Sequence, residues 1–148
     1  MRQYSIIFVL FLILYGPANA LGQDQIPDSM KFKSLDPYDF HLTYLKEDTA
    51  LMIDVREFFE YRGRRIRDAV NIPSSGNLEF SADTIDKNCA LFLYCTTDYR
   101  SIRVARFFYD HGFRKVYSLE GGIVAWRKDG FPLEKKRLRR RNYRPRGY

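Results

Sequence analysis

Short apolar runs alternate with amphipathic stretches along the middle of the chain. Residues 50–55 form an apolar run interrupted by one acid, and residues 90–94 are apolar throughout. Runs of this length without polar alternation are typical of strands that are buried on both faces of a parallel sheet. Two further short strands are predicted over residues 69–73 and 115–119.

Helical patterns fill the segments between these strands. Asp36 and Pro37 are typical of a helix start, because aspartate caps the first turn and proline fits the first helical position. The inner face of this helix would use Phe40, Tyr44 and Leu45. Alternating strands and helices predict an α/β domain with a mostly parallel sheet. The other helical segments are predicted over residues 57–62, 81–88, 101–111 and 123–128.

Charge is distributed unevenly along the 148 residues. The chain carries 25 basic and 18 acidic residues, a formal net charge of +7. Eight of the basic residues lie in residues 135–148, which contain no acid, and the domain that precedes them is slightly acidic. Because like charges repel, we expect an extended basic tail that is either solvated or in contact with an anionic surface. The tail gives no reason to expect a nucleic-acid partner.

The first twenty residues match the pattern of a secretory signal. Arg2 precedes ten apolar residues, 6–15, and a small-residue cleavage pattern ends at Ala20. The apolar run spans about 15 Å as a helix, which is short for a bilayer core of about 30 Å. We predict cleavage after Ala20 and a periplasmic protein; an uncleaved anchor or a buried strand is the alternative. Residues 21–33 are polar and predict a linker to a domain over residues 34–134.

A cysteine follows the strongest predicted strand directly. The carboxyl edge of an open parallel sheet is where ligands bind, and a short turn there leads into the next predicted helix. Backbone N–H groups in such a turn converge on an anion and stabilise a thiolate, and Arg100 adds a positive charge. The alternative is a small buried residue at a strand end. The candidate site consists of the nucleophile Cys95 and the substrate-binding residues Thr96, Thr97, Asp98, Tyr99 and Arg100.

The other candidate ligands in the sequence indicate structural roles. Cys89 lies about 20 Å from Cys95 along an extended strand, so a disulfide between them is not expected. His41 and His111 are separated by seventy residues and are interpreted as surface residues. Neither a metal ion nor an organic cofactor is expected.

Three blocks of the sequence, residues 53–73, 95–101 and 116–126, resemble in their order and spacing the single-domain rhodanese family of thiosulfate sulfurtransferases. The loop from Cys95 resembles the family's Cys-x-x-Gly-x-Arg-Ser, with Asp98 where glycine is common. Residues 64–68 replace the family's Gly-His-Ile-x-Gly. The resemblance covers residues 34–133, and its other motifs lie in residues 53–57, 60–61, 69–73 and 116–126.

The resemblance implies a central, mainly parallel five-stranded sheet flanked by helices. It also implies that the Cys95 thiolate takes the outer sulfur of thiosulfate or of a persulfide donor. The resulting persulfide would then give that sulfur to cyanide or to a thiol. The small anionic donor would be held by the loop N–H groups, and the protein is expected to act as a monomer.

Two other functions remain open. One alternative is a non-catalytic binding module of the same fold. Aspartate at position 98 can replace glycine in a left-handed turn, but its negative charge would repel a dianion such as thiosulfate, which favours this alternative. A phosphatase or arsenate reductase is the other alternative. The resemblance disfavours it, because related phosphatases have five residues between cysteine and arginine, whereas four lie between Cys95 and Arg100.

Overall fold

The computed structural model describes residues 26–135. The predicted signal and nearly all of the predicted basic tail lie outside the described residues. Five strands form one sheet in the order β1-β5-β4-β2-β3, and every neighbouring pair is parallel, which confirms the predicted architecture. The strands are β1 Lys33–Leu35, β2 Ala50–Asp54, β3 Val70–Asn71, β4 Ala90–Tyr94 and β5 Val116–Leu119.

Six helices flank this sheet, and most of them begin within two residues of their predicted positions. Asp36 caps the second helix as predicted, since its carboxylate accepts from the Asp39 N–H at 2.9 Å. The fourth helix begins three residues earlier than predicted, because the Asn77 side chain caps it by accepting from the Phe80 N–H at 3.0 Å. The helices are α1 Asp28–Lys31, α2 Pro37–Lys46, α3 Phe58–Gly63, α4 Leu78–Thr84, α5 Tyr99–Asp110 and α6 Gly122–Lys128.

The predicted linker over residues 21–33 differs from the structure in its described part. Residues 28–31 form α1, and Lys33 begins the edge strand β1, which pairs with β5. Phe32 is buried in the core, and Asp28 forms an ion pair with Arg106 of α5. The polar composition of this segment concealed one buried aromatic ring and one ion pair, which together hold the segment on the domain.

The inner face of α2 is narrower than predicted. Phe40 and Tyr44 each approach the ring of Phe92 edge-on, with centroids 5.2 Å apart. These two residues are one helical turn apart, so the same stripe carries both of them toward the sheet. Leu45 lies about 100° further around the helix and is 65% exposed, so its assignment to the inner face was wrong.

Strand β4 separates two hydrophobic layers and directs Cys95 into one of them. All five residues of β4 are buried. Leu91, Leu93 and Cys95 belong to the layer that contains Val104 and Phe108 of α5. Alternate residues of β4 belong to the layer beneath α2 and α6. The period of two along β4 therefore places the Cys95 side chain beneath the start of α5.

No helix in the described part of the chain is long and apolar enough to cross a membrane.

Candidate active site

Cys95 lies at the carboxyl end of β4 and is only 1% exposed. Its Sγ atom is 3.8 Å from the Ser101 hydroxyl, which also donates to the Asp98 carbonyl at 2.9 Å. The Ser118 hydroxyl of β5 donates in turn to the Ser101 hydroxyl at 3.0 Å. Both serines are fully buried, so two hydroxyl groups fix the polar surroundings of the sulfur. A serine between apolar neighbours in a buried strand was the sequence signal for Ser118.

The loop around Cys95 presents a row of free backbone donors. Within residues 26–135, the N–H groups of residues 96–101 donate to no acceptor of the protein. The first backbone bond of α5 is donated by Ile102 to the Asp98 carbonyl, at 2.9 Å. Unpaired N–H groups in a loop that leads into a helix start favour a bound anion. The N–H groups of the predicted substrate-binding residues Thr96, Thr97, Asp98, Tyr99 and Arg100 are among these unpaired donors, and their binding of a substrate stays a prediction.

The start of α6 fixes the orientation of this loop. The Ile123 N–H donates to the Cys95 carbonyl at 2.9 Å, and the Val124 N–H donates to the Thr96 carbonyl at 3.3 Å. In a trans peptide the next N–H points away from the carbonyl. The N–H groups of Thr96 and Thr97 are therefore directed away from α6.

Gly122 allows this close approach of α6. Its φ is +58°, and a β-carbon on it would lie 2.6 Å from the Cys95 carbonyl oxygen and closer still to that of Thr97. A side chain at this position would therefore push the two segments apart. Gly122 thus supports the position of the Cys95 loop.

Glu60 of α3 connects the two ends of the loop, a role the sequence analysis missed. Its carboxylate accepts from the Arg100 guanidinium at 2.8 and 3.0 Å and from the Thr96 hydroxyl at 2.8 Å. The hydrogen bond from Arg100 is the main cause that lowers the pKa of Glu60 to about 2, with Thr96 contributing. Glu60 raises the pKa of Arg100 most strongly, and the Cys95 thiol adds to the increase. Arg100 thus lies near the sulfur with its charge already paired.

Asp98 does not adopt a left-handed backbone. Its φ is −162°, so the left-handed conformation considered for this position is absent. The side chain does not cap α5, and its carboxylate adds a negative charge to the loop. Among the described non-glycine residues, only Asp68 has a positive φ, +60°. The backbone conformation that favours glycine therefore occurs at Asp68, within residues 64–68, where the family motif also has a glycine.

Asp54 and Arg56 form a buried ion pair that supports α3. The Asp54 carboxylate accepts three hydrogen bonds from the Arg56 guanidinium, the shortest at 2.6 Å. Burial lowers the pKa of Arg56, but Asp54 raises it by more, so the net shift is upward. The guanidinium also donates to the Arg64 carbonyl, just beyond the end of α3, at 2.6 Å. The pair therefore anchors the helix that carries Glu60.

The remaining candidate residues have structural roles. Cys89 is a free, buried thiol whose pKa is raised by burial and by nearby acids. Trp126 is buried, and His41, which was predicted at the surface, is half-buried against it. Residues 26–135 hold no group of three side chains suited to a metal ion. Cavities of about 580 and 400 Å³ are lined by residues outside the Cys95 loop.

Comparison with known proteins gives the chain a family. A model of the rhodanese-like domain matches residues 40–129. The protein YqhL of Bacillus subtilis is 36% identical over 121 residues, which cover 82% of this chain and 88% of YqhL. The tRNA uridine(34) hydroxylase of Hamiltonella defensa is 32% identical over 98 residues, which cover 60% of this chain but only 28% of the hydroxylase.

A solved structure supports the same assignment at the level of the fold. The thiosulfate sulfurtransferase of Pseudomonas aeruginosa superimposes with a TM-score of 0.62 at 21% identity, over 73% of this chain and 22% of that one. At this identity the likeness concerns the fold alone. Together with the parallel sheet and the motif around Cys95, the domain match over residues 40–129 shows that the chain belongs to the rhodanese-like family.

Proposed function

We propose that the protein is a sulfurtransferase that carries a sulfane sulfur on Cys95. The donor would be thiosulfate or a persulfide, and the acceptor would be cyanide or a thiol. The row of unpaired N–H groups over residues 96–101, beside a buried cysteine, is the observation that supports this proposal most strongly. Such donors stabilise negative charge on a sulfur atom in transit, as an oxyanion hole does for oxygen.

The proposed reaction has two nucleophilic steps. The Cys95 thiolate attacks the outer sulfur of the donor, the donor's S–S bond breaks, and sulfite or a thiolate leaves. The acceptor then attacks the outer sulfur of the Cys95 persulfide and regenerates the thiolate. Covalent catalysis of this kind passes negative charge between sulfur atoms, and the unpaired loop N–H groups would stabilise that charge in each transfer.

Two names among the comparisons bear on this proposal. A thiosulfate sulfurtransferase shares the fold, which is compatible with sulfur transfer by Cys95. The matched region covers 28% of the tRNA uridine(34) hydroxylase, so the activity of that larger protein is not part of the proposal. The pairing of Arg100 with Glu60 argues against a phosphatase, because a phosphate dianion needs an arginine that is free to bind it.

The steady-state transfer of sulfur from thiosulfate to cyanide tests the proposal. The wild-type protein should form thiocyanate, Cys95→Ser should form none, and Cys89→Ser should retain the activity. If Cys95→Ser still transfers sulfur, the proposal is wrong. If the wild-type protein instead hydrolyses an aryl phosphate and Cys95→Ala does not, the phosphatase is favoured. If neither reaction occurs and no sulfur donor modifies Cys95, the binding module is favoured.

Export and the basic tail belong to the same proposal. We propose a periplasmic site of action, supported by the charged start and apolar run in residues 1–20. The eight basic residues of 135–148 would contact an anionic surface. Cell fractionation with and without residues 1–20 tests the first point, and vesicle binding with and without residues 136–148 tests the second.

A further inference from the structure

A cavity of about 400 Å³ lies on the opposite side of the sheet from Cys95. Its floor is formed by Met52, Ile66 and Trp126, all of them buried and all in the hydrophobic layer beneath α2 and α6. Cys95 belongs to the other layer, beneath α5. A concave site of this size with an apolar floor is typical of sites for small organic molecules. We call it the Trp126 cavity.

Helix α2 supplies polar groups to the wall of the Trp126 cavity. His41 and Tyr44 are three residues apart, so both side chains lie on the same face of α2. The His41 ring approaches the Trp126 ring edge-on, with centroids 5.5 Å apart. The indole N–H of Trp126 already donates to the Pro132 carbonyl at 3.0 Å, so this residue offers a ligand only its ring. The cavity thus combines aromatic surface with the imidazole and phenol groups of α2.

The carboxylate of Asp68 lies at the mouth of the Trp126 cavity. Asp68 lines the cavity but is exposed, and it makes no ion pair within residues 26–135. Its φ of +60° is one that glycine adopts without strain, so the carboxylate is retained at a conformational cost. Residues held in such a conformation are frequent at ligand sites. The pKa of Tyr44 is raised by burial and then by the charge of Asp68, so these two side chains are within electrostatic reach of each other.

Charge complementarity at the Trp126 cavity favours a cation. Apart from His41, the charged side chains that line it within residues 26–135 are Asp68 and Arg67. Arg67 is already paired, because its guanidinium donates to the Glu134 carboxylate at 3.2 Å. Asp68 is therefore the lining charge that has no partner in the described part of the chain. The ring of Trp126 is a second attractive surface for an ammonium group.

We propose that the Trp126 cavity binds a small organic cation, in which an ammonium group is carried on an aromatic or aliphatic body. The ammonium group would pair with Asp68 and donate to the hydroxyl oxygen of Tyr44. The body of the ligand would be buried against Met52 and Trp126. This inference goes beyond the proposed sulfur transfer, because the cavity and Cys95 lie in different layers of the domain.

The fluorescence of Trp126 tests the inference, because the 148 residues contain a single tryptophan. The probes are phenethylamine, phenylacetate and phenethyl alcohol, which share an aromatic body and differ in charge. Titration of the full chain with phenethylamine should change the fluorescence of Trp126. The dissociation constant of phenethylamine should be at least about tenfold lower than that of phenylacetate, which corresponds to about 1.4 kcal/mol. Phenethyl alcohol should bind less tightly than the amine.

Substitutions of Asp68 provide the second measurement. Asp68→Asn removes the charge but keeps a residue that tolerates a positive φ, and it should bring the ratio of the two dissociation constants close to one. Asp68→Gly should lose the preference for the amine as well, although it relieves the strain, so that loss of binding is separated from loss of stability. Asp83→Asn is the matched control, because Asp83 is exposed on α4, outside the cavity, and should keep the wild-type ratio.

Three results would each overturn the inference. The first is binding of phenylacetate or phenethyl alcohol to the wild-type protein that is as tight as binding of the amine. The second is an unchanged fluorescence of Trp126 with all three probes. The third is an unchanged preference for the amine in Asp68→Asn. None of these results would affect the proposal that Cys95 carries sulfur.

Discussion

Glu60 accepts two hydrogen bonds from the guanidinium of Arg100, at 2.8 and 3.0 Å, across the gap between α3 and the Cys95 loop. The same carboxylate accepts from the hydroxyl of Thr96 at the other end of that loop. One side chain thus holds both ends of the segment whose N–H groups surround the cysteine. The shape of the candidate site therefore depends on a residue that is outside the loop.

Glu60→Gln should lower the free energy of unfolding by about 1–3 kcal/mol at neutral pH, because it removes the anion from a half-buried pair. The folded pKa of about 2 lies below the ordinary value of 4.5. This stabilisation is therefore complete above pH 4.5 and is lost as the pH falls toward 2. Urea unfolding of both proteins across this range should show the difference shrinking with acidity.

The control for this experiment is Glu79→Gln. Glu79 is exposed on α4 and makes no ion pair within the described residues, so its substitution should have little effect. A difference between wild type and Glu60→Gln that stays constant from pH 5 to pH 2 would contradict the account of this pair.

Gly122→Ala should displace the Cys95 loop, because the new β-carbon would contact the carbonyl oxygens of Cys95 and Thr97. We expect a loss of stability of about 2 kcal/mol or more and a loss of sulfur-transfer rate of about tenfold or more. Gly130→Ala is the matched control: its φ is +83°, but no atom lies within 4 Å of the added carbon. Equal effects of the two substitutions on the transfer rate would show that the close approach of α6 is unimportant.

Asp68→Gly should stabilise the protein by about 0.5–1 kcal/mol. Asp68 has a φ of +60°, a region where a β-carbon is costly and glycine is not. Asp48→Gly is the comparison, because Asp48 has no positive φ and glycine there only adds freedom to the unfolded chain. Thermal unfolding should rank Asp68→Gly above the wild type and Asp48→Gly below it; the opposite order would refute the assignment of strain to Asp68.

Asp54→Ala should cost about 3–5 kcal/mol, because it leaves the buried Arg56 guanidinium without its partner. Asp110→Ala removes an exposed carboxylate that lies 3.8 Å from the Lys31 ammonium and should cost less than about 1 kcal/mol. Denaturant midpoints of the two variants measure the contrast. Comparable losses of stability in the two variants would mean that burial does not increase the contribution of the Asp54–Arg56 pair to the free energy of unfolding.

The sequence was most informative where its pattern was local and apolar. The uninterrupted run of residues 90–94 placed β4 at its exact bounds and Cys95 at its end. Asp54 ends β2 and Arg56 follows two residues later, so the ion pair between them is also local in the chain. These features depend on neighbours in the chain, which a sequence displays directly.

Contacts between distant residues were less predictable. The role of Glu60 depends on Arg100, which lies forty positions further along the chain. The residues next to Glu60 in the sequence do not indicate that the two side chains are paired. The short helix α1 was missed because its attachment depends on the burial of Phe32 and on the pairing of Asp28 with Arg106. The positive φ of Asp68 was likewise not predictable from its neighbours in the sequence, because it depends on the path of the backbone between α3 and β3.

The most direct test of the central claim is the mass of the peptide that contains Cys95 after exposure to a sulfane-sulfur donor. The account predicts the added mass of one sulfur atom on Cys95, removal of that sulfur by cyanide or a thiol, and no addition in Cys95→Ser. Cys89 lies only six residues before Cys95, so fragmentation of the shared peptide, or the variant Cys89→Ser, should place the added sulfur on Cys95 and leave Cys89 unmodified. An unmodified Cys95 after treatment with both thiosulfate and peptide persulfides would contradict the assignment of this cysteine as a sulfur carrier.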